Sequence, residues 1–320
     1  MGFCASLVSR KSARVDWGES IMIEQAQVKR LASALGAEIR GVDLAAVGPE
    51  EAEQVRAWIR DFKVLLFPDQ SLSAAEHVTL GRLFGELEGH PHLVDSHQDL
   101  QQILELRASR GGVADEWHSD LSFLPEPAEI SIMKMVKCPD VGGDTLWANL
   151  ALAFASLSEP MRDLCEGLTA LHNAEPHGRP EVMTVHPMVR THPETGEKVL
   201  FVNEHFTRRI VELSLAESEM LLGYLKTWVG DSRFTVRYHW TAGTVAFWDN
   251  RCTQHMVLSD FEEERVIQRV TVMGDKPEGA EPRWSPYLRP GVRSDTSRHD
   301  RLLRKYLREQ AGEGGGQASS

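Results

Sequence analysis

Trp117-His118-Ser119-Asp120 carries a histidine and a carboxylate two residues apart, and a further histidine, His255, follows 135 residues after Asp120. Two imidazoles and one carboxylate are the donor set of a 2-His-1-carboxylate facial triad. Such a triad binds Fe(II) on one face and leaves the opposite face open, the arrangement of non-haem oxygenases. The triplet H-x-D is weak by itself, because the chain holds 13 His and 47 acidic residues. His90, His92, His172, His177, His186, His192, His205 and His239 compete for the same role. His118 and Asp120 differ in preceding an apolar run, Leu121-Ser122-Phe123-Leu124, which reads as a strand. On a strand, residues i and i+2 share a face. Both donors would then point into a barrel interior, with Ser119 turned away and His255 arriving from another strand. The alternative is a hydrogen-bonded core histidine beside a helix-capping aspartate.

A second constellation follows His255. In Arg265-Val266-Ile267-Gln268-Arg269-Val270-Thr271-Val272, alternation places Arg265, Ile267, Arg269 and Thr271 on one face. The two Arg Cα atoms would lie about 13 Å apart at roughly 3.3 Å per residue. The other face is mostly apolar, so it packs on neighbouring elements and sends the Arg face inward. Two inward guanidiniums can bind two anionic groups bidentately. Gly142-Gly143-Asp144-Thr145-Leu146-Trp147 reads as a turn entering a strand, where Thr145 could offer its hydroxyl to a carboxylate. The segment lacks the G-x-x-x-x-G-K-[ST] pattern of a phosphate loop.

Elements must position these groups. Pro49–Phe62 has helical apolar spacing, and Ser73–Phe84 begins with a capping box, Ser73 and Glu76. Val64–Phe67 reads as a buried strand stopped by Pro68, and Ala37–Leu44 as a strand pair or strand-turn. From about residue 100 short strands follow between Gly and Pro turns: Gln102–Arg107, Glu129–Val136, Val199–Asn203, Phe234–Trp240, Thr244–Asp249 and Arg265–Met273. Helices are expected at Leu150–Leu168, which carries Pro160, and at Ala216–Val229. Many short strands predict a barrel or jelly roll rather than an alternating βαβ sheet. The expected organisation is a disordered N-terminal extension over 1–22, a single domain over 23–276, and a polar tail over 277–320 with a short helix near 300–310.

The bulk properties narrow the function. The chain has 320 residues, 42% apolar and 26% charged, with a formal net charge of -12. That balance argues against a nucleic-acid partner, which would require a basic patch or stripe. No apolar run approaches the roughly 18 residues of a membrane span, so no membrane association is expected. The four Cys are scattered without a C-x-x-C, which argues against a disulfide framework or a zinc ribbon and for reduced thiols in the cytoplasm.

The ordered set W-H-S-D, G-G-D-T-L-W, H-P-E-T-G, F-W-D-N-R-C-T-Q-H and R-V-I-Q-R-V-T-V resembles the TauD/TfdA family of Fe(II)/2-oxoglutarate-dependent dioxygenases. That family includes taurine dioxygenase, alkylsulfatases and phenoxyalkanoate dioxygenases. The resemblance spans roughly residues 28–276. It implies a mainly β fold with helices: a double-stranded β-helix, or jelly roll, with flanking α-helices. By the same resemblance His118, Asp120 and His255 ligate iron, and Arg265 and Thr145 hold the distal carboxylate of 2-oxoglutarate. Arg269 and His90 hold the substrate's anionic group, and Phe206 lines its pocket. Trp248 and Asn250 belong to the wall of the iron site. The implied reaction consumes 2-oxoglutarate and O2, releases succinate and CO2, and hydroxylates a substrate C–H. Retention of Asp120 argues against the halogenase variant. A homodimer or tetramer is implied by analogy.

Departures shape the substrate expectation. Leu93 and Ala114 stand where polar residues surround the taurine amine, and a buried ammonium without partners is costly. The segment between Leu171 and Val185 is short for the family's lid, which implies a more open site. The expected substrate is therefore a small anionic organic molecule, a sulfonate, sulfate ester or carboxylate, with an apolar body. Fragmentation to a carbonyl compound plus sulfite or sulfate would follow when the hydroxylated carbon bears the leaving group. The alternative is a biosynthetic hydroxylase of an amino acid or other carboxylate without fragmentation. More remote are a non-catalytic jelly roll that binds 2-oxoglutarate and a zinc hydrolase with the same ligands.

Overall fold

A computed structural model of the chain describes residues 26–89, 96–97, 100–108, 114–288 and 298–312. The expected extension over 1–22 lies outside them, as do His90 and Leu93. In chain order the elements are β1 (Gln27–Arg30), β2 (Ala37–Arg40), α1 (Pro49–Phe62), β3 (Val64–Phe67), α2 (Ala74–Arg82), β4 (Ser96–His97) and β5 (Leu100–Ala108). Next come β6 (Ala128–Lys137), β7 (Thr145–Asn149), α3 (Leu150–Ala155), α4 (Glu159–Glu166), β8 (Thr169–Ala174), β9 (Arg179–Pro187), β10 (Val189–Thr191), β11 (Lys198–Leu200) and β12 (Thr207–Ile210). The chain continues through α5 (Leu215–Val229), β13 (Thr235–Tyr238), β14 (Val245–Asp249), β15 (Thr253–Val257), β16 (Arg265–Met273) and α6 (Arg298–Gln310).

The strands form the jelly roll. An eight-stranded sheet runs β1-β2-β3-β14-β6-β16-β5-β4, and three-stranded sheets run β13-β7-β15 and β12-β8-β9. The central strands explain themselves by alternation. In β3 and β14, Leu65, Phe67, Val245 and Phe247 face α1 and α2, where they meet Val55, Ile59, Val78 and Leu80. Val64, Leu66, Ala246 and Trp248 point the other way, into the barrel with Trp147 and Ile267. Burial on both faces is why these strands read as continuous apolar runs. On β16, Val270 and Val272 join the layer under the helices, while Arg265, Arg269 and Thr271 stand on the opposite face, as alternation requires.

Several local expectations change. Helix α1 has the expected bounds and ends at Lys63, whose φ of 65° stops propagation. Ser73 and Glu76 form the capping box of α2. The single helix expected at Leu150–Leu168 is two, α3 and α4, separated by Ser156–Ser158. Pro160 explains the break, because its ring would clash with the carbonyl four residues back, whereas the first turn of a new helix tolerates it. Strand β2 pairs antiparallel with β1 and parallel with β3, so within Ala37–Leu44 only Ala37–Arg40 is a strand. The run Leu121–Leu124 is a turn, not a strand. Leu121 takes φ 57° and its carbonyl accepts from Leu124 N at 2.9 Å. Strands β8, β9 and β12, unexpected from the sequence, build a third sheet over the site. Among the described residues no helix is long and apolar enough to cross a membrane.

Three buried histidines outside the site make the fold acid-sensitive. His77 donates from Nε2 to Ile132 O, and His186 from Nε2 to Leu124 O, each at 3.0 Å. Burial lowers both to about 4, and it holds His172 well below its usual range. A histidine whose folded pKa is depressed binds fewer protons folded than unfolded. Its contribution is therefore present above the unfolded value of about 6.5 and is lost as pH falls below it. Tm is expected to fall steadily between about pH 6.5 and 4, and His186→Gln should flatten that slope. Thermal melts across the interval check this, and a pH-independent Tm would contradict it.

Candidate active site

Residue 118 pairs with residue 255 as an isolated antiparallel bridge, His118 N to His255 O at 3.0 Å and His255 N to His118 O at 2.8 Å. The pairing sets the two imidazoles side by side, with ring centroids 4.1 Å apart. Asp120 lies just beyond, where the chain turns, and its Oδ1 is 3.8 Å from His118 Nε2. One donor atom from each of the three lies within 4.8 Å of the others, and all three residues are buried. His118 Nδ1 donates to Glu116 O at 2.8 Å, which fixes the tautomer and leaves Nε2 as a lone-pair donor. His255 Nδ1 is buried without a hydrogen-bond partner. Burial lowers His118 to about 4 and His255 well below its usual value, so both are neutral, as ligands must be. Burial alone would raise the Asp120 carboxyl, but the Arg269 guanidinium and the Ser131 hydroxyl hold it far below the usual carboxylate range. Two neutral imidazoles and one carboxylate, one of them with an orphaned nitrogen, fit a divalent cation.

The carboxylate is oriented by a closed ring of hydrogen bonds. Ser131 Oγ donates to Asp120 Oδ2 at 2.6 Å, and Asn250 Nδ2 donates to Ser131 Oγ at 2.9 Å. Asn250 Oδ1 accepts from Asp120 N at 3.1 Å and from Trp248 Nε1 at 3.1 Å. Trp248 also packs on His255, with centroids 4.7 Å apart. Ser119 is not turned to solvent; it donates to Thr253 O at 2.7 Å and pins the segment to β15.

Asn250 is held in its turn by a second buried group. His192, Asp249 and Cys252 also bring three donor atoms within 4.8 Å of one another. Here both His192 nitrogens are committed: Nε2 donates to Asp249 Oδ2 at 3.0 Å, and Nδ1 accepts from Glu194 N and Thr195 N at 3.2 Å. Arg251 fills the other side of Asp249, with Nε to Oδ1 at 2.9 Å. With no lone pair left on the imidazole, this group is structural and shapes the turn between β14 and β15.

Arg265 is 3% exposed. Its partners are neutral oxygens: Gly143 O at 3.3 Å and Thr145 Oγ1 at 3.5 Å. Burial lowers its pKa to about 10, and among the described residues no carboxylate pairs with it. Trp240 Nε1 donates to Thr145 Oγ1 at 2.9 Å, so the Thr145 proton remains free for another acceptor. A buried cation beside a free hydroxyl donor has the chemistry to take a carboxylate. The Gly-Gly turn shapes it. Gly142 and Gly143 have φ of 80° and 68°, and a Cβ on Gly142 would lie 2.4 Å from Asp260 O. That approach admits only glycine.

Arg269, expected to hold a substrate anion, donates from Nη1 to Asp120 Oδ1 at 2.7 Å, and its Nε is buried without a partner. Phe206 packs edge-on to Phe123 at 5.0 Å and to His118 at 6.2 Å. Leu121, Leu124 and Val182 complete this apolar wall. The sequence does not single out Ser131 or Glu88, and it offers His177 and His205 only as competing ligands. Burial raises the Glu88 carboxyl to about 7 against the pull of Arg269. His205 lies 5.5 Å from His118, ring to ring. A lone serine inside apolar β6 was the one signal that could have found Ser131.

Residues 27–271 match the family described as Taurine catabolism dioxygenase TauD, TfdA family. The chain is 36% identical over 287 residues to an alpha-ketoglutarate-dependent sulfate ester dioxygenase of Pseudomonas putida, covering 82% of this chain and 95% of that protein. It is 33% identical to an alkylsulfatase of Acinetobacter baylyi, covering 80% and 88%. Among solved structures, a taurine dioxygenase from Burkholderia xenovorans superposes with a TM-score of 0.74 at 36% identity, covering 87% of this chain and 98% of that one.

Proposed function

The chain belongs to the TauD/TfdA family of taurine catabolism dioxygenases, and on that premise we propose that it is a 2-oxoglutarate-dependent sulfate ester dioxygenase holding Fe(II) at His118, Asp120 and His255. The observation that carries the cosubstrate is Arg265, a buried cation whose partners are neutral oxygens. Arg265 and Thr145 would take the distal carboxylate of 2-oxoglutarate. Bound there, the iron would supply the activation of O2 for C–H hydroxylation.

What this chain's residues contribute is placement and exclusion. Ser131 and Asn250 hold Asp120 in one rotamer, and the Glu116 carbonyl holds the His118 tautomer. Phe123, Phe206, Leu121 and Leu124 offer an apolar body a dry surface beside the triad. Arg269 offers the anionic head a cation, with His90 as the proposed second contact. This pairing of one cation with an apolar wall supports an alkyl sulfate over taurine, whose ammonium would find no partner on that wall. The reaction balances as one oxygen atom entering succinate and the other entering the carbon that bears the sulfate. The hydroxylated ester then collapses to an aldehyde and sulfate, with CO2 lost from 2-oxoglutarate.

A panel of alkyl sulfates, alkyl sulfonates, carboxylates and taurine, read by succinate and sulfate release with Fe(II), tests the reading. Medium-chain alkyl sulfates are expected to give stoichiometric succinate and sulfate. Taurine outperforming every apolar member, or a product that gains one oxygen without sulfate release, would overturn it.

A further inference from the structure

Strands β8 and β9 form a hairpin whose tip is a 3-10 turn, Glu175–His177. Its inner side belongs to the substrate side of the site. Ala174 packs with Phe123 and Phe206, and the His177 ring lies 5.5 Å from Phe123, 5.3 Å from Phe206 and 6.0 Å from His205. Its outer side is covered by α6. Leu303 is fully buried against Leu171 and Val211, and Met183, Val185 and Tyr306 close around it. Asp300 pairs with Arg209, which is 1% exposed and also donates to Leu213 O at 2.9 Å.

One carboxylate joins the helix to the tip. Glu175 pairs with Arg298 and lies 3.8 Å from His299 Nε2, both in the first turn of α6. From the other side Arg208 Nε is 3.5 Å from the same carboxylate. Arg208 Nη2 also donates to His205 O at 2.6 Å, on the loop that carries His205 and Phe206. The helix thus reaches the mouth through Glu175 and Arg208. It lies beyond residue 271, where the match to the family ends.

We infer that α6 is a positioning element of the substrate mouth: Arg298 and His299 hold Glu175 from behind and so set where His177, His205 and Phe206 stand beside the triad. The inference rests on the activity proposed above. Part-exposed ion pairs such as these contribute little to global stability. Their loss should therefore move the mouth without unfolding the protein, which separates positioning from simple support.

The experiment compares wild type, the double variant Arg298→Ala/His299→Ala, and the conservative Arg298→Lys, each loaded with Fe(II) and 2-oxoglutarate and assayed with hexyl sulfate. In the double variant the KM for hexyl sulfate should rise about 5–10-fold, the size of a modest coupling between sites. The KM for 2-oxoglutarate and the Tm should be unchanged, and Arg298→Lys should keep the KM for hexyl sulfate close to that of wild type. Hydrogen exchange at residues 174–178 should quicken in the double variant. Unchanged exchange, or both KM values rising together with a fall in Tm, would overturn the inference. A wild type that forms no succinate with any panel member would sink the proposed activity instead, and the exchange measurement would then decide the role of α6 alone.

Discussion

Asp120→Ala is expected to eliminate substrate-dependent succinate formation. Asp120 supplies the one anionic donor of the triad, so its loss should exceed the roughly 10–100-fold that changes around metal ligands cost. The variant also strands Arg269, whose Nη1 donates to Asp120 Oδ1 at 2.7 Å. Removing one member of a buried ion pair destabilises by about 3–5 kcal/mol, so an inactive Asp120→Ala protein could owe part of its loss to misfolding. Asp120→Asn separates the two effects. Its amide keeps the shape of the carboxylate and one oxygen to accept from Ser131, so the Tm should stay nearer wild type. Turnover and Fe(II) binding should still be lost. An Asp120→Asn protein that kept more than a tenth of wild-type turnover would remove Asp120 from the ligand set.

The parts of this site that could be read from the sequence are those governed by short-range geometry. Alternation along Arg265–Thr271 places both guanidiniums on the face away from Val270 and Val272, because β16 is regular and its other side packs under helices. The capping box at Ser73 follows from local side-chain chemistry. What could not be read depends on tertiary partners. Asp120 reaches the triad from a turn, and Leu121 adopts its left-handed backbone where an apolar sequence favours a strand. Strand β8 hides because His172 and Asn173 are fully buried yet polar. His172 Nδ1 meets Ser122 Oγ at 3.1 Å, and Asn173 Oδ1 accepts from Arg208 Nε at 2.9 Å. Partners 50 and 35 residues away satisfy them, so no hydrophobic alternation survives. The amphipathic pattern of α6 predicts a helix, but only its contact with Leu171 and Val211 shows which surface it covers.

Arg265→Ala is expected to act in the opposite sense on stability from Asp120→Ala. Arg265 is buried against neutral oxygens, so the ligand-free protein bears an uncompensated guanidinium at that position. Removing a buried charge that has no carboxylate partner relieves its desolvation cost, which offsets the packing lost with the side chain. The ligand-free Tm of Arg265→Ala should therefore match or exceed that of wild type. Affinity for 2-oxoglutarate should collapse, because truncating one partner of a buried, hydrogen-bonded charge pair costs about 2–5 kcal/mol, or upward of about 30-fold in KM. Thr145→Ala should raise the same KM by only about 2–10-fold, the worth of one hydrogen bond. Ligand-induced melting shifts report both quantities at once, since a ligand stabilises by RT ln(1 + [L]/Kd). Wild type should melt higher with 2-oxoglutarate and a redox-inert divalent metal, whereas Arg265→Ala should show no shift at the same concentrations. An Arg265→Ala protein that melts well below wild type without ligand, yet keeps the shift with it, would show that Arg265 supports the fold rather than the cosubstrate.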